Sequence, residues 1–253
     1  MQWSKLMSRG AAALCFLLAC NLGRTALADT AIETETAQLG SKGESNFSQA
    51  YEWEFAQDGR GEGTVTQYEY AITDRSEILI EPFFYIRNSP DGERSVSGLG
   101  DLEITPSYMV VKENGWVPAV VAAFKVKVPT GEKKVEGTGK FDYYPYIILG
   151  QHYGAWIFNA NLGVNFAQPV DSSAYDTTVV WALEAEREIL PRLTGYFEGF
   201  SAEDAVKTVS TAFQYQFTPK FNAFVVYSYT EEHSNVARIG FNYGFGGAAP
   251  THH

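Results

Sequence analysis

Along most of this chain the side chains alternate between apolar and polar with a period of two, in segments of about 9–11 residues separated by turn formers. Tyr51, Trp53 and Phe55 fall on one face, Glu52 and Glu54 on the other. Ile78, Ile80, Pro82, Phe84 and Ile86 oppose Glu77, Glu81, Tyr85 and Arg87. Val120, Phe124, Val126 and Val128 oppose Lys125 and Lys127, and Trp156, Phe158, Leu162, Val164 and Phe166 oppose Asn159, Asn161 and Asn165. The pattern persists to the end, where Ile239, Phe241, Tyr243 and Phe245 oppose Arg238 and Asn242. A period of two belongs to β-strands. Repeated about a dozen times, it reads as an antiparallel transmembrane β-barrel. Inside a bilayer every backbone N–H and C=O must be paired, and a closed sheet pairs them without any long apolar run. Only every second residue has to face lipid, so a mean hydropathy of −0.18 is compatible with an integral membrane protein. A soluble sandwich or lipocalin-like fold also alternates, with its apolar face turned to a core instead of to lipid.

The N-terminus supports export. Lys5 and Arg9 precede a short apolar stretch, Ala11 to Cys20, and Ala26-Leu27-Ala28 supplies a small-x-small cleavage site before Asp29. Residues 1–28 are therefore expected to be a signal peptide. A second reading, cleavage and acylation at Cys20 after Leu17-Leu18-Ala19, stays open. Cleavage after Ala28 removes both cysteines, Cys15 and Cys20, and leaves no thiol for a disulfide or a metal. It also removes Lys5, Arg9 and Arg24 and no acid, making the mature chain three charges more negative than the −11 of the full sequence. So acidic a chain is poorly suited to nucleic acid. Aromatic residues at 15% fit the girdles of a membrane barrel.

Residues 29–47 are polar and lack a clear period. They are expected to form a flexible periplasmic leader, with a small plug inside the barrel as the alternative. Residues 48–245 are expected to be the barrel and 246–253 a C-terminal tail. Tight turn formers follow the even strands, at Thr73-Asp74-Arg75, Glu113-Asn114-Gly115, His152-Tyr153-Gly154, Leu190-Pro191 and Thr218-Pro219. The connections after odd strands, at 58–63, 88–98, 129–139 and 167–175, are longer and more polar, while those near 202–205 and 231–234 are short. Short turns lie on the periplasmic side of such barrels. The parity therefore places both termini in the periplasm and predicts an even strand count, with twelve expected and ten as the rival.

Short motifs add a resemblance. Tyr70-Ala71-Ile72-Thr73-Asp74-Arg75 resembles a YGLTD-R signature, with Ala71 in place of the usual Gly. Gly98-Leu99-Gly100-Asp101-Leu102 resembles a G-x-GD-L strand start. Pro129-Thr130-Gly131, Gly137-Thr138-Gly139 and Asp142 resemble a PTG…GTG…D loop. Together these resemble the outer-membrane proteins named for the meta-pathway of phenol degradation, over roughly residues 65–245. The resemblance implies a small transporter or channel of the cell outer membrane. Its family name implies aromatic or other hydrophobic solutes.

With the apolar face toward lipid, the polar face lines the lumen. The candidate lining residues are Glu77, Glu81, Tyr85, Arg87, Glu103, Lys125, Lys127, Asp142, Tyr144, Tyr146, Glu184, Glu198 and Arg238. The acids would favour cations, the aromatics would suit apolar solutes or simply fill the barrel, and Glu103 with Lys125 could pair across strands. The glycine-rich loop at 129–139 is no phosphate cradle, because no Gly-Lys-Ser/Thr and no helix follow it. His152 and His233 fall in connections rather than opposite a strand serine, so no catalytic pair is expected. His252-His253 is a tail pair. No enzyme activity, metal or cofactor is expected. The expected partners are outer-membrane lipid, a small-molecule solute and the outer-membrane assembly machinery, with the barrel a monomer. The sequence predicts a passive small-solute channel. The alternative is a non-conducting structural or surface-interaction barrel.

Overall fold

The computed structural model describes residues 33–133, 135, 139–169, 172–201 and 207–246. The segment expected as a signal peptide and the end of the expected tail lie outside these residues, as do His252 and His253. In chain order the strands are β1 (Glu44–Ala56), β2 (Gly59–Thr73), β3 (Ser76–Pro82), β4 (Ile86–Pro90), β5 (Val96–Gly98), β6 (Leu102–Val111) and β7 (Ala119–Val128). There follow β8 (Asp142–Tyr153), β9 (Trp156–Ala167), β10 (Asp176–Leu190), β11 (Leu193–Ser201), β12 (Lys207–Thr218), β13 (Phe221–Thr230) and β14 (Asn235–Gly246). β3 and β4 are two halves of one spanning strand, and so are β5 and β6. Among the described residues, twelve antiparallel strands close into a barrel. β1 closes it, pairing with β14 from Glu44↔Gly246 to Phe55↔Asn235 and with β2 on its other side. Closure leaves the ladder without a free edge.

The two faces divide as the alternation predicts. Ile147, Leu149, Leu162, Val179, Leu183, Val225 and Ile239 are exposed around the outer waist. Aromatic rings flank them at both rims. Trp116 packs on Tyr153, and Phe217 on Phe221, on the side of the tight turns. Phe141 and Tyr143 stack on the opposite side. An apolar waist between aromatic girdles is the outer surface of an integral outer-membrane barrel. No helix among the described residues is long and apolar enough to cross a membrane, and the crossing is made by strands.

Three differences from the expected pattern follow from local geometry. The connection expected at 58–63 shrinks to Gln57-Asp58, because β2 begins at Gly59. β1 begins at Glu44, ahead of the expected 48. The third difference is a break at 83–85, after Pro82, whose missing N–H makes it a natural end to a ladder segment. The break shifts the alternation by one residue. Glu77, Leu79 and Glu81 point inward in β3, but in β4 Ile86 faces Gly63 on the inner side and Arg87 faces Glu62 on the outer. Its carbonyls remain paired: Phe83 O accepts from Gly100 N at 2.9 Å and Tyr85 O from Thr64 N at 2.9 Å.

Two glycines allow close approaches that set the interior. A Cβ on Gly163 would lie 2.5 Å from Pro145 O and from Tyr144 Cε2. One on Gly240 would lie 2.5 Å from Phe224 Cζ and 2.7 Å from Ala50 Cβ. Gly163 is the floor on which the Tyr144–Tyr146 pair rests, with ring centroids 4.4 Å apart and nearly parallel. Gly163→Val is expected to cost about 1–3 kcal/mol by overpacking. The check is the urea midpoint of the barrel in lipid vesicles, and an unchanged midpoint would show that the stacked tyrosines move aside freely.

Candidate functional site

The barrel interior is polar and carries a segment of the chain's own N-terminal region. Residues 33–43 run inside the barrel, from mid-height down to the rim where β1 starts. Glu33 forms an ion pair with Arg238 of β14 at 2.7 Å. The amide and hydroxyl of Thr34 donate to Glu198 of β11, and Tyr146 of β8 donates to Glu35. Ala37 N donates to Asn159 Oδ1 at 3.4 Å, Gly40 N to Glu77 Oε2 at 3.0 Å and Lys42 N to Asp74 Oδ1 at 2.9 Å. The described part of the segment expected as a periplasmic leader is thus threaded through the lumen, which is the plug alternative. Extended backbone inside a closed sheet has no strand edge to pair with, so wall side chains accept from the amides of Thr34, Ala37, Gly40 and Lys42.

Three groups of wall charges are ion-paired. Lys125 of β7 lies 2.9 Å from Glu103 of β6 and 3.6 Å from Glu81 of β3. Lys127 pairs with Asp142 and stands 3.9 Å from Asp101. Arg238 holds Glu52 at 2.6 Å in addition to Glu33. Glu184 sits opposite Glu198 on neighbouring strands and accepts from Asn159 Nδ2 at 3.3 Å. Of the thirteen candidates from the sequence, eleven line the lumen: Glu77, Glu81, Glu103, Lys125, Lys127, Asp142, Tyr144, Tyr146, Glu184, Glu198 and Arg238. Tyr85 and Arg87 do not. The break at 83–85 turns them to the outer surface, where Tyr85 Oη and Arg87 Nη1 each lie 3.2 Å from Glu62 Oε1. Sequence reasoning missed Glu33, Thr34 and Glu35, which have no period, and Asn46, which the even-numbered inner face of β1 could have revealed.

Two cavities flank the internal segment. One, of about 210 Å³, lies between the segment and the wall of β1, β2, β3 and β6. It is lined by the carboxylates of Glu35, Glu69, Glu77 and Glu81, by Lys125, and by Leu39, Leu79 and Ile148. The other, of about 470 Å³, opens toward the tight-turn rim between Asp74, Lys112, Glu113 and His152. Gln38, Leu39, Gly40 and Ser41 border both and so stand between them.

The histidines clasp turns. His152 Nδ1 lies 2.6 Å from Glu113 Oε2, and His152 N donates to Glu113 Oε1 at 2.9 Å. Burial pushes the Glu113 carboxyl up, but the amide and ring of His152 outweigh it and hold it below the ordinary carboxylate range. His233 Nδ1 lies 2.6 Å from Tyr229 Oη.

Among the solved structures with this fold are porins. A KdgM porin in complex with disordered oligogalacturonate is 13% identical with a TM-score of 0.56, covering 78% of this chain and 99% of its own. A NanC porin is 11% identical with a TM-score of 0.58, covering 78% and 98%. At such identities the likeness shows the fold alone. No curated protein matches the sequence. A family model matches residues 62–249, the greater part of the chain and nearly all of the barrel. The chain therefore belongs to the family described as "Putative MetA-pathway of phenol degradation".

Proposed function

We propose that this channel-like barrel passes small solutes by passive diffusion, favours cationic over anionic ones, and is constricted by its own residues 33–43. One observation carries the reading: an acid-rich cavity and a rim vestibule are separated by only four residues of the internal segment, Gln38 to Ser41. A lumen lined with carboxylates lowers the energy of cations and raises that of anions in a narrow, weakly screened space. The KdgM barrel was solved with oligogalacturonate, a polyanion. The acidic lining here argues against a solute of that charge. The family name suggests aromatic compounds.

Single-channel recording of the refolded barrel in a planar bilayer, with reversal potential in a salt gradient, tests this. Discrete cation-selective steps are expected. In the Glu77→Gln, Glu81→Gln, Glu103→Gln triple variant the preference is expected to vanish, because Lys125 loses both carboxylates. A correctly folded but silent barrel would overturn the open-pore reading. It would favour a second one, a sealed scaffold, for which the ion pairs and hydrogen bonds tying the internal segment to the wall are the supporting observation.

A further inference from the structure

The smaller cavity holds more than a cluster of acids. Asn46 Nδ2 donates to Glu69 Oε2 at 3.1 Å, and Gln67 Nε2 donates to Glu81 Oε1 at 2.7 Å. Each amide is thereby fixed, since reversing it would set its carbonyl oxygen against a carboxylate. The result is that Asn46 Oδ1 and Gln67 Oε1 are buried with no hydrogen-bond partner. Thr105 Oγ1 and Glu81 Oε2 are buried without one too, Lys125 standing 3.6 Å from the latter at ion-pair distance. Asn46 is 5% exposed and Thr105 1%. All four residues line the cavity.

A buried polar atom left without a partner is destabilising, and three of these four can only accept. The unpaired oxygens therefore lack donors, and Lys125 is the one basic lining residue against the carboxylates of Glu35, Glu69, Glu77 and Glu81. No group of His, Cys, Asp and Glu side chains among the described residues is placed to hold a metal ion. Leu39, Leu79 and Ile148 add apolar lining, Leu79 directly beside Glu69 on the neighbouring strand. The fitting guest has an N–H-rich cationic head and a short hydrocarbon body.

We propose that this cavity binds a compact primary amine in its ammonium form, the three N–H donors directed to Asn46 Oδ1, Gln67 Oε1 and the Glu69–Glu81 carboxylates, and the alkyl or aryl body against Leu39, Leu79 and Ile148. The solute class rests on the pore reading given above; the binding site does not. Water can fill part of the space but brings no charge and no apolar surface.

Calorimetric titration of the refolded chain in detergent with butylammonium chloride tests the site. Tetramethylammonium carries the charge without donors, and 1-butanol the hydrocarbon without the charge. Butylammonium is expected to bind at least about tenfold more tightly than either, the size of one charge-assisted hydrogen bond. Glu69→Gln is expected to weaken it by about tenfold. Thr105→Val keeps shape and folding while removing one unpaired oxygen, and is expected to weaken it a few-fold. Equal binding of butylammonium and tetramethylammonium would reduce the site to diffuse negative potential and overturn the proposal. So would a folded barrel that binds neither. If butylammonium binds while bilayers stay silent, the pore reading fails and the site stands. If ions pass and butylammonium does not bind, the site fails alone.

Discussion

Deleting residues 33–41 is expected to raise the single-channel conductance of the barrel several-fold. The segment occupies the lumen, and Gln38 to Ser41 separate the inner cavity from the vestibule. Nothing in the wall depends on it for closure: β1 pairs with β14 and with β2 along nearly their whole lengths. The ladder therefore persists in the deletion variant, and water replaces the segment against Glu198, Asn159 and Glu77. Retention of the folded, heat-modifiable band on a gel establishes that the barrel is intact. A folded deletion variant with unchanged conductance would show that the constriction lies in the wall itself. A partial version, Arg238→Gln, releases only the Glu33 end of the segment. It is expected to show flickering between two conductance levels rather than one larger level.

Lys125→Met is expected to destabilise the barrel by about 3 kcal/mol, because it removes the charge from a buried ion pair and leaves its partners behind. Glu81 and Glu103 sit directly opposite each other on β3 and β6. Like charges in that position repel, and Lys125 bridges them. Both carboxylates are at least 86% buried, since their side chains are 10% and 14% exposed, so bulk water screens them little. Urea unfolding in lipid vesicles, followed by tryptophan fluorescence, measures the loss. Adding Glu103→Gln to Lys125→Met is expected to restore most of it by removing the repulsion. If Lys125→Met unfolds at the wild-type midpoint, the group is solvated by lumen water and the bridge contributes nothing.

The barrel itself was legible in the sequence, because both of its determinants are local. Alternation with a period of two is written residue by residue in segments such as Val120 to Val128, and the parity of short and long connections points to an even count. The inward set follows from the same alternation, which is why eleven of thirteen candidates line the lumen. The cross-strand partners of Lys125 needed only the register of adjacent hairpins. Where the alternation breaks, the reading breaks with it. Pro82 and the three residues after it shift the face of β4, and Tyr85 with Arg87 moves outside to Glu62. No single residue there carries the signal of a bulge; the pairing of β4 with β2 decides it.

The internal segment was decided by tertiary structure alone. Residues 33–43 have no period, no turn signature and no apolar stripe, so their sequence is compatible with a free leader or a plug. Their course is fixed by acceptors and donors that only a closed barrel brings together: Glu198, Tyr146, Asn159 and Glu77 come from four strands spread over 121 positions of chain, Glu77 to Glu198. The same holds for the unpaired oxygens of Asn46, Gln67, Glu81 and Thr105. Sequence determines that each of these side chains points inward. Closure determines that they meet across one cavity, because convergence on a lumen depends on curvature and shear of the whole sheet, which no local pattern encodes.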